Sequence, residues 1–373
     1  MRVAFLSNYP VPYQRELLQA VESAGRIEVH PFFLAARDPG RQWPDERAIP
    51  RARIPPSFGL PRLPAELRFH PTLPAELLRA RADINIICGY SHSAFQLAIA
   101  ALVAARRPFL LWAEVPRVGQ GSAAVRLARS ALIAPLQLSR GLLAIGTRAA
   151  GTWRRLLRAS IPVVNYPYSC DISRYAAIQR GPRRERPFTF LFSGQLIERK
   201  GVDLLLRAFT TASQKRGDLR LRILGDGPLR ERLHAQVPEG LRSRIEFLGF
   251  APWEQLPDIY AAADALVVPS RHDGWALVVN EALAAGMPVI ASDAVGAAFD
   301  LVRDGVTGYR VASGDIDALA AALVRAPEHA QAMGREGRAL AAKLAPDAAA
   351  RRLFSICEAA LRGELRDELG AFP

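Results

Sequence analysis

Lysine is nearly absent from this sequence: Lys200, Lys215 and Lys343 are all of it, and the rest of the 49 basic residues are arginine. Cysteine is as scarce. Cys88, Cys170 and Cys357 lie far apart, in no CxxC or metal-ligand spacing, which argues against a disulfide framework and leaves them as buried thiols. No stretch holds the roughly 18 uncharged apolar residues that a membrane-crossing helix needs. The opening MRVAFLSNYP lacks the long apolar core of a secretory signal and reads as a first strand, so the expected location is the cytoplasm. There is no zinc-finger pattern and no RNA-recognition aromatic signature. The arginines sit among Leu, Ile and Ala, so nucleic acid is not an expected partner.

What is present is a 373-residue chain, half of it hydrophobic, with a net charge of +13. That length suits two domains, each with its own core. The charge is unevenly spread. From Val115 to Cys170 there is no acidic residue, while Arg117, Arg126, Arg129, Arg140, Arg148, Arg154, Arg155 and Arg158 alternate with apolar residues. One reading is a solvated helix face. The other is a surface that rests on anionic lipid or grips an anionic acceptor.

Short apolar runs alternate with helical patterns along the whole chain. Val3–Asn8, Ile27–Leu34, Ile84–Gly89, Pro108–Glu114 and Gly141–Gly146 read as buried strands, with helices such as Arg15–Ser23 and Ser93–Ala105 between them. This is the pattern of a parallel sheet covered on both faces. The polar stretch Ala176–Pro187 reads as a linker. Beyond it the rhythm restarts with Phe188–Gly194, Leu219–Gly225, Arg244–Gly249, Ala265–Ser270, Pro288–Ser292 and Gly308–Val311. The expected architecture is α/β, with two doubly wound domains at 1–180 and 181–345 facing a cleft. A helical tail at 346–373 packs on either of them. The Pro- and Arg-rich region 37–74 is not assigned an element.

Ligands of such sheets bind beyond the carboxyl ends of the strands, so the strand-to-helix turns of the second domain are where chemistry is expected. In FSGQLIERKG, a strand runs into Gly194, and Gln195, Arg199 and Lys200 follow before a helix, a pattern suited to phosphate. In ILGDGPLRERL, Gly225 and Gly227 flank Asp226, but Arg230 stands where a dinucleotide fingerprint has its third glycine, and a lone GxG is weak evidence. The third turn is HDGWALVVNEALAAGMPVIAS, in which two acids, Asp273 and Glu281, bracket an apolar run. WALVVNEALAA predicts a helix that ends at Gly286. Asp273 then lies in the loop before it, Glu281 about two turns inside it, and the amides of Trp275–Leu277 at its start. A carboxylate on a partly buried helix needs partners, and sugar hydroxyls supply them. Two acids for polyols beside a helix start for phosphates describe a nucleotide-sugar. On the residues alone Asp273 as a helix cap and Glu281 as an exposed acid stay open.

These motifs together resemble the retaining glycosyltransferases of family 4, which have the two-domain GT-B fold. DGWALVVNEALAAGMPV matches most of the family pattern E-x-F-G-L-x-x-x-E-A-x-A-x-G-x-P-V. The stretches GQLIERKG, LGDGP, FLGF and YAAADALVVPSRH occur in the family's order. The resemblance covers Phe188 to about Val311 well. It is looser in the first half, at NYPVPYQREL and YPYSCDISRY. It implies that Glu281 binds the donor's ribose hydroxyls and Asp273 contacts the transferred sugar. It also implies that Lys200 and a neighbouring cation neutralise the diphosphate with help from the amides of Trp275, Ala276 and Leu277, that Gly194, Gln195, Gly225 and Gly274 belong to the donor site, and that backbone near Phe250 meets the base. No metal and no cofactor is implied, and no D-x-D element stands in a loop. The sequence departs from the family at three places. Asp273 replaces the usual Glu. Gln195 stands where a phosphate-binding Arg is usual, a charge here ascribed to Arg199. The first domain lacks the glycine-rich loop and the His, near which Glu114 stands as the candidate for contacting acceptor or sugar.

The expected activity is transfer of a hexose from a nucleoside diphosphate to a hydroxyl of a lipid-linked or surface polysaccharide, such as a lipopolysaccharide, by a peripheral enzyme at the inner face of the membrane. A nucleotide-sugar epimerase of the same fold and a catalytically weak nucleotide-sugar-binding subunit are the alternatives. A nicotinamide oxidoreductase is remote, since no glycine fingerprint follows the first strand.

Overall fold

Twelve short strands, all in parallel pairs, build two separate six-stranded sheets in the computed structural model, which describes residues 1–36, 49–58, 68–116, 122, 127, 130–180 and 186–370. The first holds β1 (Arg2–Ser7), β2 (Glu28–Phe33), β3 (Ile84–Ile87), β4 (Phe109–Ala113), β5 (Gly141–Ala144) and β6 (Val163–Asn165) in the order β2-β1-β3-β4-β5-β6. The second holds β7 (Phe188–Ser193), β8 (Leu219–Leu224), β9 (Ile245–Gly249), β10 (Ala265–Val268), β11 (Val289–Ser292) and β12 (Gly308–Val311) in the order β12-β11-β10-β7-β8-β9. The central strands are buried along their whole length, because helices cover both faces. That double burial is why they read as continuous apolar runs and not as alternating ones. β6 escaped the sequence reading: three residues between Pro162 and Pro167 are too few for a pattern.

The chain divides into one compact unit of Met1–Cys170 with the segment that begins at Pro346, and a second of Asp171–Ala345. The boundary lies ten residues before the expected 180/181. The reason is local: Tyr175 packs against Tyr260, and Arg180 donates to the carbonyls of Tyr260 and Ala263, so Asp171–Arg180 is bound into the second unit. The tail closes the first unit. Helix Pro346–Arg362 packs on helix Pro12–Ser23, the Tyr166 hydroxyl donates to the Ala349 carbonyl at 2.9 Å, and the Glu368 backbone bridges the edge strand β6.

Of the basic span, Arg117, Arg126 and Arg129 lie outside the described residues, as do residues 37–48 and 59–67 of the Pro- and Arg-rich region. Arg154 is described, and it is not a membrane-facing cation. Its side chain is only 18% exposed, and its guanidinium donates to the carbonyls of Leu157, Arg158 and Ile161 and to Asp367 of the tail. Arg154→Glu is therefore expected to lower the melting temperature by several degrees, while leaving Arg148→Glu and Arg155→Glu as the cleaner variants in a liposome-flotation assay. Among the described residues no helix is long and apolar enough to cross a membrane.

Candidate functional site at the switch point of the second sheet

The strand order of the second sheet reverses between β7 and β10, and the loops that leave these neighbours diverge there. After β7 the chain turns through Gly194–Lys200. After β10 it runs through Pro269–Leu277 before helix Val278–Ala284. Arg271 ties the two loops together. Its guanidinium forks onto the Asp203 carboxylate at 2.8 and 2.6 Å and donates to the Glu198 carbonyl at 2.9 Å, while its amide donates to the Arg199 carbonyl at 2.8 Å. The fork holds the Asp203 carboxyl below its ordinary value and lifts Arg271 above its own. The sequence reading singled out neither residue, since they are 68 positions apart.

This brace sets Lys200 against Asp273. The ammonium lies 2.5 Å from the carboxylate, with side chains only 15% and 11% exposed. Arg199 stands 3.8 Å from the same oxygen and donates to the His272 carbonyl at 3.0 Å. The structure thus brings the first acid and both expected phosphate cations to one point, and Asp273 is an ion-pair partner and not a helix cap. Gly194 and the half-buried Gln195 lie beside them, where the ends of β7, β8 and β9 stack closely. Gly194 donates to the Leu224 carbonyl and Gly225 to that of Gly249, and a Cβ on Gly225 would sit 1.9 Å from the Gly194 oxygen. Phe250, just beyond β9, is 53% exposed.

The helix after β10 begins at Val278, not at Trp275, and has seven residues. Trp275 and Ala276 are therefore loop, Leu277 is the N-cap whose amide alone of the three stands at the helix start, and Glu281 lies in the first turn. Ala276 causes the delay, with φ at 73°, a left-handed conformation that side chains other than glycine rarely hold. Its neighbours impose it. The Trp275 indole is buried and donates to Asn280 at 3.1 Å, and Gly274 presses so closely on Gly296 that a Cβ there would meet its oxygen at 2.0 Å. Ala276→Gly is expected to stabilise the protein by about 1 kcal/mol in chemical denaturation, since relief of left-handed strain outweighs glycine's unfolded-state entropy.

Glu281 faces inward. Its Oε2 accepts a hydrogen bond from the Tyr260 hydroxyl at 2.7 Å, and the ring of Tyr175 lies 5.0 Å from that of Tyr260. Arg174, one residue before Tyr175, sits 3.2 Å over the Trp253 ring. Burial raises the Glu281 carboxyl above its ordinary 4.5, and the hydroxyls of Tyr260 and Tyr175 and the charge of Arg174 offset this only in part. Burial also drives the Tyr260 phenol well above its usual value, with the Glu281 charge adding to it. A carboxylate so held can accept from a pair of neighbouring hydroxyls while Tyr260 fixes its orientation. Tyr260, Tyr175 and Arg174 lie in segments the sequence reading quoted, YAAADALVVPSRH and YPYSCDISRY, yet nothing in their spacing announced that they meet at Glu281.

Residues 174–339 match the family model described as glycosyl transferases group 1. The matched segment lies within the second unit, Asp171–Ala345, and is similar to the group 1 glycosyl transferases over less than half of the chain. Among curated proteins, the chain is 36% identical over 165 residues to a GDP-mannose-dependent alpha-(1-6)-phosphatidylinositol monomannoside mannosyltransferase of Mycolicibacterium smegmatis, covering 41% of this chain and 43% of that protein. It is also 36% identical over 184 residues to a D-inositol 3-phosphate glycosyltransferase of Segniliparus rotundus, covering 46% and 40%. The match thus spans under half the length of these relatives. Among solved structures, Anabaena Alr3699/HepE in complex with UDP superposes with a TM-score of 0.73 at 19% identity, over 96% of this chain and all of that one. The sucrose-phosphate synthase of Thermosynechococcus elongatus superposes at 0.70 with 23% identity, over 96% and 98%. These likenesses establish the fold: two Rossmann-like units of the GT-B class.

Outside the matched segment, Glu114 stands just past β4 in the first unit. Its carboxylate accepts from the Tyr168 hydroxyl at 3.3 Å and its carbonyl from the Trp153 indole at 2.9 Å. The Tyr168 ring lies 4.5 Å from Tyr13 and 5.3 Å from Trp112. Among the described residues, no three His, Cys, Asp or Glu side chains gather as a metal site would need, in either unit.

Proposed function

We propose that the protein is a retaining, metal-independent glycosyltransferase that takes a hexose from a nucleoside-diphosphate sugar held in the group 1 domain. One observation carries this reading. Two acids stand at the switch point of the second sheet, Asp273 against Lys200 and Arg199, and Glu281 among Tyr260 and Tyr175. Glu281 accepts from the ribose hydroxyls. Lys200 and Arg199 lie between Asp273 and the diphosphate, and Asp273 accepts from a hydroxyl of the transferred sugar. In the transfer, the bond from the anomeric carbon to the phosphate oxygen breaks and a bond to the acceptor oxygen forms on the same face. The acceptor's proton passes to the departing phosphate oxygen, and the two cations stabilise the charge that develops there. The names of the mannosyl- and inositol-phosphate-directed relatives, and the UDP and UDP-glucose complexes of HepE, support a nucleotide-sugar donor without choosing its base.

The acceptor is a hydroxyl of a lipid-linked or surface polysaccharide, met by the first unit through Glu114. The basic span Val115–Cys170, Arg154 excepted, holds the protein peripherally at the anionic inner face of the membrane. A thermal-shift screen against UDP, GDP, ADP and dTDP sugars tests the donor half. One series is expected to raise the melting temperature, and the stabilising sugar is then offered with lipid-linked and polysaccharide acceptors. A protein that no nucleotide sugar stabilises is not this enzyme, and turnover of the donor with no acceptor present points to the epimerase.

A further inference from the structure

Two arginines of the second unit spend their guanidinium groups on backbone carbonyls alone. Arg180 donates to Ala285 at 2.5 Å, Ala263 at 2.8 Å and Tyr260 at 2.9 Å. Arg338 donates to Ala285 at 3.2 Å, to Ala176 at 3.5 Å and to Ile178. Among the described residues, neither forms an ion pair with a carboxylate. Burial lowers the Arg180 pKa to about 10, so placing its charge here works against solvation. A glycine would have ended the helix at no such cost. Gly286 does stand there, with φ at 70°, but a Cβ on it would meet the Arg338 Nε at 2.6 Å and the Arg180 Cδ at 3.3 Å. The missing side chain makes room for both arginines.

The carbonyls they take are not arbitrary. Tyr260 and Ala263 close helix Leu256–Ala261, which presents the Tyr260 hydroxyl. Ala285 closes helix Val278–Ala284, which presents Glu281. Ala176 ends the helical turn Ser173–Ala176 that presents Tyr175, and Ile178 lies two residues beyond it. All three elements that meet at the Glu281 carboxylate are thus gripped at their carbonyl ends, where a cation is favoured electrostatically.

We propose that Arg180, with Arg338 beside it, is a positioning residue that fixes Tyr260, with Tyr175 packed against its ring, on the Glu281 carboxylate and so sets the affinity of the site for the nucleotide's hydroxyl pair. This rests on reading Glu281 as the hydroxyl-binding group. Isothermal titration with UDP and with GDP tests it. Arg180→Gln is expected to weaken binding about tenfold in the wild-type background and less than twofold when Glu281→Gln is already present, because the positioned group is then gone. Arg180→Lys is expected to recover part of the loss, since an ammonium still caps two of the carbonyls. Equal losses in both backgrounds, or none in either, overturn the proposal, whatever happens to the melting temperature. Should Arg180→Gln fail to fold, Arg338→Gln, which leaves all three Arg180 bonds in place, is put through the same comparison of backgrounds. The crystal structure of whichever variant folds gives a ligand-free readout. The Tyr260–Glu281 hydrogen bond is expected to lengthen beyond bonding range, and an unmoved pair overturns the proposal. A wild-type protein that binds none of UDP, GDP and the ADP of the donor screen defeats the hydroxyl reading of the site, while the crystal structure still decides whether the arginines place the pair.

Discussion

Lys200→Ala is expected to slow sugar transfer about 100- to 1000-fold, the size of loss seen when one preorganised donor to a developing charge is removed. The geometry supports a large effect. The ammonium is 15% exposed, it lies 2.5 Å from Asp273, and Arg199, the other nearby cation, is 36% exposed and has one guanidinium nitrogen engaged by the His272 carbonyl. The same substitution costs stability, because it leaves Asp273, 11% exposed, without its nearest partner. Breaking a fully buried pair costs about 3–5 kcal/mol. Here Arg199 remains 3.8 Å from the stranded oxygen and some solvent reaches the pair, so the loss should be about 1–2 kcal/mol. The double variant Lys200→Ala with Asp273→Asn separates the two roles. Without a buried charge to strand, it should regain most of the melting temperature and stay inactive. Recovery of both would mean that the pair is a structural tie and nothing more.

The second large effect is an opposed change in affinity and stability at Glu281. Glu281→Gln should weaken nucleotide-sugar binding about 10- to 100-fold, since hydrogen bonds to a charged acceptor are worth about 1.5–3 kcal/mol. It should also raise the melting temperature at pH 7.5 by about 1–3 °C. The sign follows from the raised pKa. A carboxyl that binds its proton more tightly folded than unfolded costs the fold stability wherever it is ionised. That cost is complete above its raised folded pKa, shrinks as the pH falls through it, and is gone below about the ordinary 4.5. The advantage of glutamine should therefore grow as the pH rises through the raised folded pKa and vanish in acid. Binding should run the other way in the wild type, with the donor gripped less well as Glu281 takes up its proton. Melting curves and titrations between pH 4.5 and 8 would check both. A glutamine variant that melts lower at neutral pH would show that the Tyr260 bond repays the burial of the charge.

Much of this was legible in the residues. Eleven of the strands were legible, the central ones as unbroken apolar runs because a strand covered on both faces has no polar side to interrupt it, and β8 by the alternation of Leu219 and Leu221 with Arg220 and Arg222. The turns that hold Gly194, Lys200, Gly225 and Asp273 could be placed because glycine and charge are unusual at the end of such a run. Local pattern failed where a distant neighbour overrides it. WALVV reads as helix, and by propensity it should be. The close approach of Gly274 to Gly296 and the burial of Trp275 force Ala276 left-handed and delay the helix to Val278. Arg154 read as one more surface cation, and four acceptors, one of them in the tail, made it a cap.

The sequence alone determined the fold class, the two-fold repetition of the sheet pattern, and the two acids of the candidate site, since each is written in composition and spacing over a few tens of residues. Only the tertiary structure decided what those acids touch. The meeting of Lys200 with Asp273, of Tyr260 with Glu281, and of Arg180 with the ends of two helices joins positions 21 to 105 residues apart. Side chains so distant are brought to bonding range by the packing of helices on the sheet, and hydrogen bonds and charge act only across a few ångströms, so no local pattern could announce them.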